Sequence, residues 1–521
     1  MSALKNMRDW YGRYGPMTLL VAGRRLHIAA EEMAALMRFL LIDLRVSKET
    51  IGRYEAEALM GNYKPPDILI LLAHDCLLFD EDGRCYADFQ SGYSANNAGN
   101  CNPRITGANH LASSLTSIMS RARRNRQLPL AAHELQSVLG LDYKFLPMNS
   151  GCEAIEGATL LAKLVFNRHE RFREKREALT KAGRVPKIVV CANNFHGRSS
   201  WAKAVSTNPA YRDPFAPHTL EDEVVKVKFG DVDGLELAFS RGDISAFVVE
   251  PIQCEGGMNV PPSGYFLEVK RLCDKYGVLL VADEVQTGLG RTGSLLALDQ
   301  FFNGKTEADI IALAKSISGG QEVVSGILAR PEYADLIRPS EHGSTFGGGP
   351  KAALTMRAAL RELKERDLCR RAEVNGAICL ELLQQICCEV PGVIEVRGLG
   401  LAIGIEMKGH LADEVCARMR QCPFVFRGRK FDGCWTNSTH GITDETTVIR
   451  VSPPLTMPTD MLTAAMYSFA QALGHPEPKV FRRRDLAKPY TRGERAAKTW
   501  ELVEYLFRRW HRFRKDLADL K

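Results

Sequence analysis

The chain has 521 residues, of which 45% are hydrophobic and 25% are charged, a composition that indicates an ordinary globular protein and excludes a low-complexity chain. This length allows a large core and two or three domains. The formal charge of +7 is concentrated near the end. Residues 479–521 hold 14 Lys+Arg and 6 Asp+Glu, a net of +8, which leaves 7 − 8 = −1 for the rest. The total charge therefore says nothing about the substrate.

Residues 1–50 predict a helical extension. The apolar segment between Leu26 and Leu44 is interrupted by four charged side chains, so we expect an amphipathic helix and not a membrane span. No signal-peptide pattern is present. The 14 cysteines lack CxxC or zinc-like spacing, which predicts no metal site and favours a reducing compartment, the cytoplasm. The first 25 residues are basic, with Asp9 as their one acid, which leaves the mitochondrial matrix open.

The middle of the chain predicts an α/β protein. Residues 51–105 hold short strands and turns and form the first part of a small domain. Residues 106–345 alternate strands with helices and form a large domain, and residues 346–475 complete the smaller domain with mixed structure. Strands rich in Val, Ile and Leu, typical of a sheet covered on both faces, are predicted at 187–192, 246–251, 278–283, 309–314 and 323–329.

Residues 476–521 predict a basic helical tail. Between Gly493 and Leu517, apolar side chains recur at helical spacing among arginines. This pattern favours an amphipathic helix docked on the protein's own body or on a partner. Contact with nucleic acid or an anionic membrane is the less favoured alternative.

Two strand ends carry the most informative side chains. The run VLLVAD ends in Asp283, and the run DIIALA is followed directly by Lys315. This delivers a carboxylate and an amine to the ends of two buried strands, which suits a pyridoxal phosphate (PLP) site. Lys315 would form a Schiff base with the aldehyde, and Asp283 would keep the pyridine nitrogen protonated. Once displaced by substrate, Lys315 would also move the proton between the substrate carbon and the cofactor.

Hydroxyl groups and a helix start offer a phosphate site. The run MNSGCEA, which holds Ser150, Gly151 and Cys152, forms a small-residue turn before a helix, where free amides and the helix dipole favour an anion. Such a turn is also common without a ligand. Ser344 and Thr345 offer two more hydroxyls for the phosphate.

Three other side chains fit the same cofactor and its substrates. The amide of Gln286 has the reach to contact the phenolic oxygen. Phe195 follows a predicted strand, where an aromatic ring can stack on the pyridine face, although alone it would be a core residue. Arg198, close by, can bind a carboxylate through two parallel hydrogen bonds.

Together these residues resemble the class III (subgroup II) PLP-dependent aminotransferases, and within that group the ornithine δ-aminotransferases. The resemblance covers roughly residues 51–475. It implies an α/β fold of fold-type I, with a large domain on a mostly parallel central sheet and a smaller α+β domain. It also implies a homodimer with shared active sites. The matching stretches are SGYSANNAG, LPMNSGCEA, NNFHGR, VVEPIQCEGG, ADEVQTGLGRTG, LAKSISGG, EHGSTFGG and IRVSPPL.

The resemblance assigns a role to each matching cofactor residue. Lys315 matches the Schiff-base lysine, Asp283 the partner of the ring nitrogen, and Gln286 the contact to the phenolic oxygen. Phe195 matches the stacking aromatic residue. The implied phosphate contacts are Ser150, Gly151, Cys152 and, from the other subunit, Thr345.

Further matches concern the substrates. Arg198 matches the arginine that binds the distal carboxylate of glutamate or 2-oxoglutarate. Tyr63 resembles a tyrosine that contacts the α-carboxylate of ornithine, and Tyr93 resembles one that lines the same pocket. Glu255 and Arg450 resemble a switch pair. When they are paired, the glutamate masks the arginine and admits an ω-amine; when they separate, the arginine binds the α-carboxylate of glutamate.

The implied reaction moves the terminal amino group of ornithine, or of a similar diamine or ω-amino acid, to 2-oxoglutarate. With ornithine, the products would be glutamate 5-semialdehyde and glutamate.

Several positions depart from the family. Asn100 and Asn102 replace histidines, Cys254 stands where glycine is usual, and the segment 422–441 is longer than expected. None of these changes removes a cofactor contact, but they leave the amino donor open. The alternative is an aminotransferase of specialised metabolism that acts on a different amine or aldehyde. Racemase or mutase chemistry, or a binding protein built on an inactive aminotransferase, is less favoured because the cofactor residues are intact.

Overall fold

The computed structural model describes most of the chain. The predicted helix between Leu26 and Leu44 and the predicted basic tail lie outside the described residues, which are 19–21, 24–26, 46–117, 119–207, 212–215, 221–441 and 445–475. Two units are distinguished. One holds Met1–Leu72, Leu78–Cys85 and Tyr490–Lys521, and the other holds Ala73–Leu77 and Tyr86–Pro489. The domain boundaries given above stay a prediction.

The strands, in chain order, are Leu19–Val21 (β1), Arg24–Leu26 (β2), Ile70–His74 (β3), Leu77–Asp80 (β4), Cys85–Asp88 (β5), Lys144–Met148 (β6), Lys187–Cys191 (β7), Val224–Val227 (β8), Ile244–Val249 (β9), Leu279–Asp283 (β10), Ile310–Leu313 (β11), Ser325–Ala329 (β12), Val393–Leu399 (β13), Ala402–Lys408 (β14), Phe424–Phe426 (β15), Arg429–Phe431 (β16), Gly433–Trp435 (β17), Ser438–His440 (β18) and Thr446–Val451 (β19).

The α-helices are Lys48–Ala58, Pro103–Leu115, Gln127–Leu139, Gly151–Arg168, Arg173–Lys181, Ser200–Val205, Val232–Ser240, Tyr265–Tyr276, Pro331–Ala334, Pro350–Glu365, Leu368–Cys387, Leu411–Met419 and Thr459–Ala472. Short 3-10 turns follow two of the central strands, at Ala297–Gln300 and Lys315–Ser318. No helix among the described residues has the length and apolar character needed to cross a membrane.

A seven-stranded sheet, in the order β6-β12-β11-β10-β9-β7-β8, forms the centre of the larger unit. The pairings from β8 through β7, β9 and β10 to β11 are parallel, and those of β12 with β11 and β6 are antiparallel. The prediction of a mostly parallel sheet is therefore confirmed. Every residue of β9, β10, β11 and β12 is buried, as expected for Val/Ile/Leu-rich strands covered on both faces.

The register of this sheet brings together the strand ends that carry Asp283 and Lys315. Asp283 of β10 pairs with Ala312 of β11, shortly before Lys315. Because neighbouring parallel strands present their carboxyl ends at one edge, both side chains lie at the edge where α/β proteins bind ligands.

The long helix Gly151–Arg168 covers one face of the sheet. Its buried residues, including Ile155 and Leu161, belong to the same apolar cluster as Val248 and Val281 of the central strands. Burying such side chains supplies most of the free energy that holds the helix in place. The start of the helix is thereby fixed next to the carboxyl edge of the sheet.

A second, four-stranded sheet has the order β13-β14-β19-β18 and is antiparallel throughout. Its strand β19 carries Arg450, a buried residue. The neighbouring strand β18 belongs to the segment 422–441, whose other strands are β15, β16 and β17.

Candidate active site

Asp283 lies at the end of β10 and is almost fully buried, with 5% of its surface exposed. Its Oδ2 lies 2.6 Å from Nδ1 of His196, and its Oδ1 accepts a hydrogen bond of 3.0 Å from the backbone amide of Val285. A buried carboxylate needs such partners, because without them burial favours the neutral acid. The two hydrogen bonds keep Asp283 in a fixed orientation.

His196 and Glu250 complete a buried charge cluster around Asp283. Burial lowers the pKa of His196, but the hydrogen bond to Asp283 and the charges of Asp283 and Glu250 outweigh it, so the net shift of the pKa is upward. Burial raises the pKa of Glu250, whose Oε1 accepts a hydrogen bond of 2.8 Å from the amide of Phe195.

Lys315 begins a 3-10 turn and is separated from the end of β11 by one residue, Ala314. Its φ of +34° places it in the left-handed region, where a residue with a Cβ is strained by roughly 1 kcal/mol or more. Its Nζ donates a hydrogen bond of 2.7 Å to Oε1 of Gln286, which follows β10. The structure thus brings together the amine and the amide that the sequence pointed to.

The start of the helix Gly151–Arg168 lies against both of these strand ends. A Cβ added at Gly151 would stand 3.0 Å from Cγ1 of Val285 and 3.7 Å from the Cβ of Ala314, the residue before Lys315. Ser150 caps the helix and accepts a hydrogen bond of 3.2 Å from the amide of Glu153. The helix begins at Gly151, so the predicted turn before it is shorter than expected.

Free amide groups at this helix start make it suited to an anion. Among the described residues, the amides of Gly151 and Cys152 donate no hydrogen bond, as is usual in the first turn of a helix. Ser344 lies in the same region, because its Oγ accepts a hydrogen bond of 3.0 Å from Nδ2 of Asn149. Thr345, the next residue, is exposed.

Phe195 and Arg198 lie close to each other beyond β7. The guanidinium carbon of Arg198 stands 5.8 Å from the centre of the Phe195 ring. The backbone amide of Arg198 donates to Sγ of Cys152 at 3.3 Å, which ties this loop to the start of the long helix. The side chain of Arg198 is exposed, and that of Phe195 is half-buried.

A separate group, which we name the switch cluster, consists of Tyr93, Glu255 and Arg450. Nη1 of Arg450 forms an ion pair with Oε2 of Glu255. The guanidinium carbon of Arg450 lies 4.9 Å from the centre of the Tyr93 ring, the distance of a cation–π contact. Only 5% of Arg450 is exposed, so its charge is shielded by these two partners.

The turn that carries Tyr93 has left-handed backbone geometry. Ser91, Gly92, Tyr93 and Ser94 have φ values of 47°, 58°, 58° and 69°. Hydrogen bonds hold this strained turn: the amide of Ser91 donates to Oδ1 of Asp88 at 2.7 Å, and its hydroxyl donates to the carbonyl of Ser452 at 2.7 Å. Tyr93 itself is 39% exposed.

Tyr63 belongs to the other unit of the chain, Met1–Leu72 with Leu78–Cys85 and Tyr490–Lys521, and is 65% exposed. Its predicted contact with the donor's α-carboxylate stays a prediction, as does the predicted contribution of Thr345 to a second subunit.

Comparison with known proteins identifies the family. The family model for class III aminotransferases matches residues 60–473. The chain belongs to the class III aminotransferases. It is therefore a PLP-dependent transaminase of fold-type I, as the resemblance implied.

Named relatives in this family include ornithine and acetylornithine aminotransferases. The ornithine aminotransferase of Bordetella pertussis is 37% identical over 429 residues, which cover 82% of this chain and 96% of the relative. A crystal structure of the Toxoplasma gondii ornithine aminotransferase, which has partial occupancy of PLP at its active site, superposes with a TM-score of 0.74 at 30% identity and covers 84% of this chain and 96% of that chain. The acetylornithine aminotransferase of Elizabethkingia anophelis superposes with a TM-score of 0.68 at 30% identity, and the match covers 82% of this chain and 99% of that chain.

The groups at the sheet edge fit PLP in their chemistry. The cofactor requires an amine, an anion partner for its ring nitrogen and donors for its phosphate. Lys315 would supply the amine and Asp283 the buried carboxylate, and the free amides of Gly151 and Cys152 would supply donors for the phosphate. The absence of a Cβ at Gly151 keeps the helix start close to the two strand ends.

Two residues of this site were missed in the sequence. The sequence patterns assign no role to His196 and Glu250. Glu250 directly follows β9, and His196 lies a few residues after β7. The reasoning that singled out Asp283 and Lys315, a titratable residue just past a buried strand, would have found them. What the sequence lacked was the strand order that brings them together.

Proposed function

We propose that the protein is an ω-aminotransferase that moves the terminal amino group of ornithine, or of a similar diamine or ω-amino acid, to 2-oxoglutarate. The products with ornithine would be glutamate 5-semialdehyde and glutamate. The observation that carries the proposal is the ion pair between the buried Arg450 and the half-buried Glu255. The names of the relatives at 37% and 30% identity support ornithine as the donor.

The ion pair explains how one site accepts two unlike substrates. While Glu255 neutralises Arg450, no free charge attracts an α-carboxylate to the reacting end of the substrate, so an ω-amine can enter. When glutamate or 2-oxoglutarate arrives, its α-carboxylate replaces Glu255 on the guanidinium. The exchange is balanced in charge, because one carboxylate replaces another. The arriving carboxylate can form two parallel hydrogen bonds with the guanidinium. Arg198, whose side chain is exposed, would bind the distal carboxylate.

The remaining residues would hold the cofactor and move a proton. When bound, PLP withdraws electrons from the substrate carbon that carries the amino group. Asp283, held by His196, would keep the ring nitrogen protonated, and Gln286 would contact the phenolic oxygen. Phe195 would stack on the ring. Lys315 would first bind the cofactor covalently and then carry the proton to and from the substrate carbon.

Ser150, Gly151, Cys152 and Ser344 would bind the phosphate group, together with Thr345 from a second subunit. We therefore propose a homodimer with shared active sites. All fourteen cysteines are free, which supports a reducing compartment such as the cytoplasm, with the mitochondrial matrix as the alternative.

A variant of the switch pair tests the proposal. In Glu255→Gln the charge that masks Arg450 is removed, so a glutamate α-carboxylate meets a free guanidinium. We expect the ratio of kcat/KM for ornithine to that for glutamate to fall about tenfold or more, because a charge-assisted hydrogen bond is worth about 1.5–3 kcal/mol. Stopped-flow measurement of each half-reaction gives both values. An unchanged ratio would contradict the role of the pair.

The segment 422–441 supports a second candidate, an aminotransferase acting on a different amine or aldehyde. Its residues contact all three members of the switch cluster, as at Asn437 and Tyr93. Because this segment is longer than expected for the family and contacts the switch cluster, other amino donors should be tested. If the chain reacts with ornithine much more slowly than with another ω-amine, this candidate replaces the first.

A further inference from the structure

Three consecutive residues at the end of the segment 422–441 contact the switch cluster. The carbonyl of Ser438 accepts a hydrogen bond of 3.2 Å from Nη2 of Arg450. The hydroxyl of Thr439 donates a hydrogen bond of 2.7 Å to the carbonyl of Glu255. Both members of the ion pair are therefore hydrogen-bonded to two consecutive residues of this segment, Arg450 to the backbone of Ser438 and Glu255 to the side chain of Thr439. These two residues belong to β18, which pairs with β19, the strand of Arg450.

The third contact is made by Asn437, the residue before Ser438. Nδ2 of Asn437 donates a hydrogen bond of 3.2 Å to the hydroxyl oxygen of Tyr93. Among the described residues, this is the one hydrogen bond of the Tyr93 phenol, and the guanidinium of Arg450 lies over its ring. Because Tyr93 is 39% exposed, we expect these two contacts to contribute strongly to where the phenol stands.

We propose that Asn437 is a positioning residue that sets the amino-donor preference by fixing Tyr93 over Arg450. This inference rests on the proposed ω-aminotransferase function. With the amide of Asn437 donating to the phenol oxygen, the phenol's own hydrogen is left to point toward an acceptor. In the donor pocket that acceptor is the carboxylate of an ω-amino acid, at the end of the molecule remote from the reacting amine.

The same arrangement acts on the ion pair. A ring held over the guanidinium stabilises Arg450 where it meets Glu255, which is the state that admits an ω-amine. Loss of the Asn437 hydrogen bond would leave the phenol free to rotate and would weaken donor binding. The glutamate half-reaction should depend on it less, because there the guanidinium is held by the substrate's α-carboxylate.

A double-mutant cycle tests this proposal. Asn437→Leu removes the hydrogen-bond donor. Tyr93→Phe removes the acceptor of the same hydrogen bond and leaves the segment 422–441 unaltered. We expect each change to lower kcat/KM for ornithine about threefold to tenfold, mainly through KM, as for the loss of one hydrogen bond. The double variant should have a kcat/KM for ornithine no lower than that of Tyr93→Phe alone. Asn437→Gln, which keeps an amide, should recover part of the loss.

Two further measurements separate positioning from a loss of folding. Binding of L-norvaline, which has the α-groups of ornithine but no terminal amine, should weaken in Asn437→Leu when measured by titration calorimetry. The glutamate half-reaction should change by less than about twofold. As a matched control, Lys430→Leu alters an exposed residue of β16 in the same segment and should change neither measurement.

Additive effects of Asn437→Leu and Tyr93→Phe, or equal losses for ornithine and glutamate, would overturn the proposal. If the unaltered protein does not react with ornithine, the proposed donor is wrong, and the cycle is then run with the ω-amine that reacts fastest. The coupling between Asn437 and Tyr93 is thus judged separately from the identity of the donor.

Discussion

At the scale of single residues, the site depends on residues with strained backbone conformations or buried charged side chains. Lys315 has a left-handed backbone, and Tyr93 lies in a run of left-handed residues. Asp283 is a buried carboxylate that needs His196 beside it. Strain and buried charge of this kind persist when the surrounding structure fixes them, and they concentrate where a protein does chemistry.

The role of Lys315 gives the sharpest expectation at this scale. Lys315→Ala should lower turnover at least about a thousandfold, because it removes the amine that we propose both to hold the cofactor and to move the proton. The measurement is the steady-state rate with ornithine and 2-oxoglutarate. Lys275→Ala is the matched control: Lys275 is exposed and pairs with Glu236, and its loss should leave the rate unchanged. Substantial activity in Lys315→Ala would contradict the assignment.

At the scale of elements, the sequence predicted the strands better than their arrangement. The runs ending at Asp283 and before Lys315 form β10 and β11 as expected, because long runs of Val, Ile and Leu have few stable alternatives to a buried strand. The antiparallel placement of β12 between β11 and β6 was not predicted. Strand order depends on contacts between residues far apart in the chain, and local patterns do not record them.

The same limit applies to the candidate site. Asp283 and Lys315 could be predicted because each stands at the end of a long apolar run. The hydrogen bond of His196 to Asp283 and that of Asn437 to Tyr93 join distant parts of the chain. Neither partner can be read from spacing, because each contact exists only after the sheets have formed.

The turn after β10 contains a carboxyl group that couples folding to pH. Oε1 of Glu284 accepts a hydrogen bond of 2.9 Å from the amide of Leu298, and Oε2 accepts one of 2.5 Å from the hydroxyl of Thr287. Burial nevertheless raises the pKa of Glu284 to about 7, above its ordinary value of 4.5. The protonated form thus stabilises the fold. This contribution is complete below pH 4.5 and is lost as the pH rises through 7.

Glu284→Gln should remove this dependence, because an amide keeps the shape and does not ionise. Between pH 5 and pH 8 the melting temperature of the variant should fall less than that of the unaltered protein; the free-energy difference is of order 3 kcal/mol at most. Thermal melting at several pH values measures it. Glu389→Gln, at an exposed site, is the control. Parallel melting curves for Glu284→Gln and the unaltered protein would count against a protonated Glu284.

At the scale of the whole molecule, the chain combines a family fold with a basic end. The family model ends at residue 473, before the stretch that carries the net charge of +8. We expect removal of residues 479–521 to leave the rate of the half-reactions unchanged. Retention on a cation exchanger should be lost, because the remaining chain has a formal charge of 7 − 8 = −1. A folded, truncated protein without transaminase activity would show that the tail contributes to the site.

We propose that the protein moves the terminal amino group of ornithine to 2-oxoglutarate. The most direct measurement follows the visible absorption of the bound cofactor while L-ornithine is added alone, with acetylornithine and 4-aminobutyrate in parallel. We expect ornithine to remove the original absorption band fastest, and 2-oxoglutarate then to restore it. A band that persists with ornithine, or that 2-oxoglutarate does not restore, would contradict this reaction.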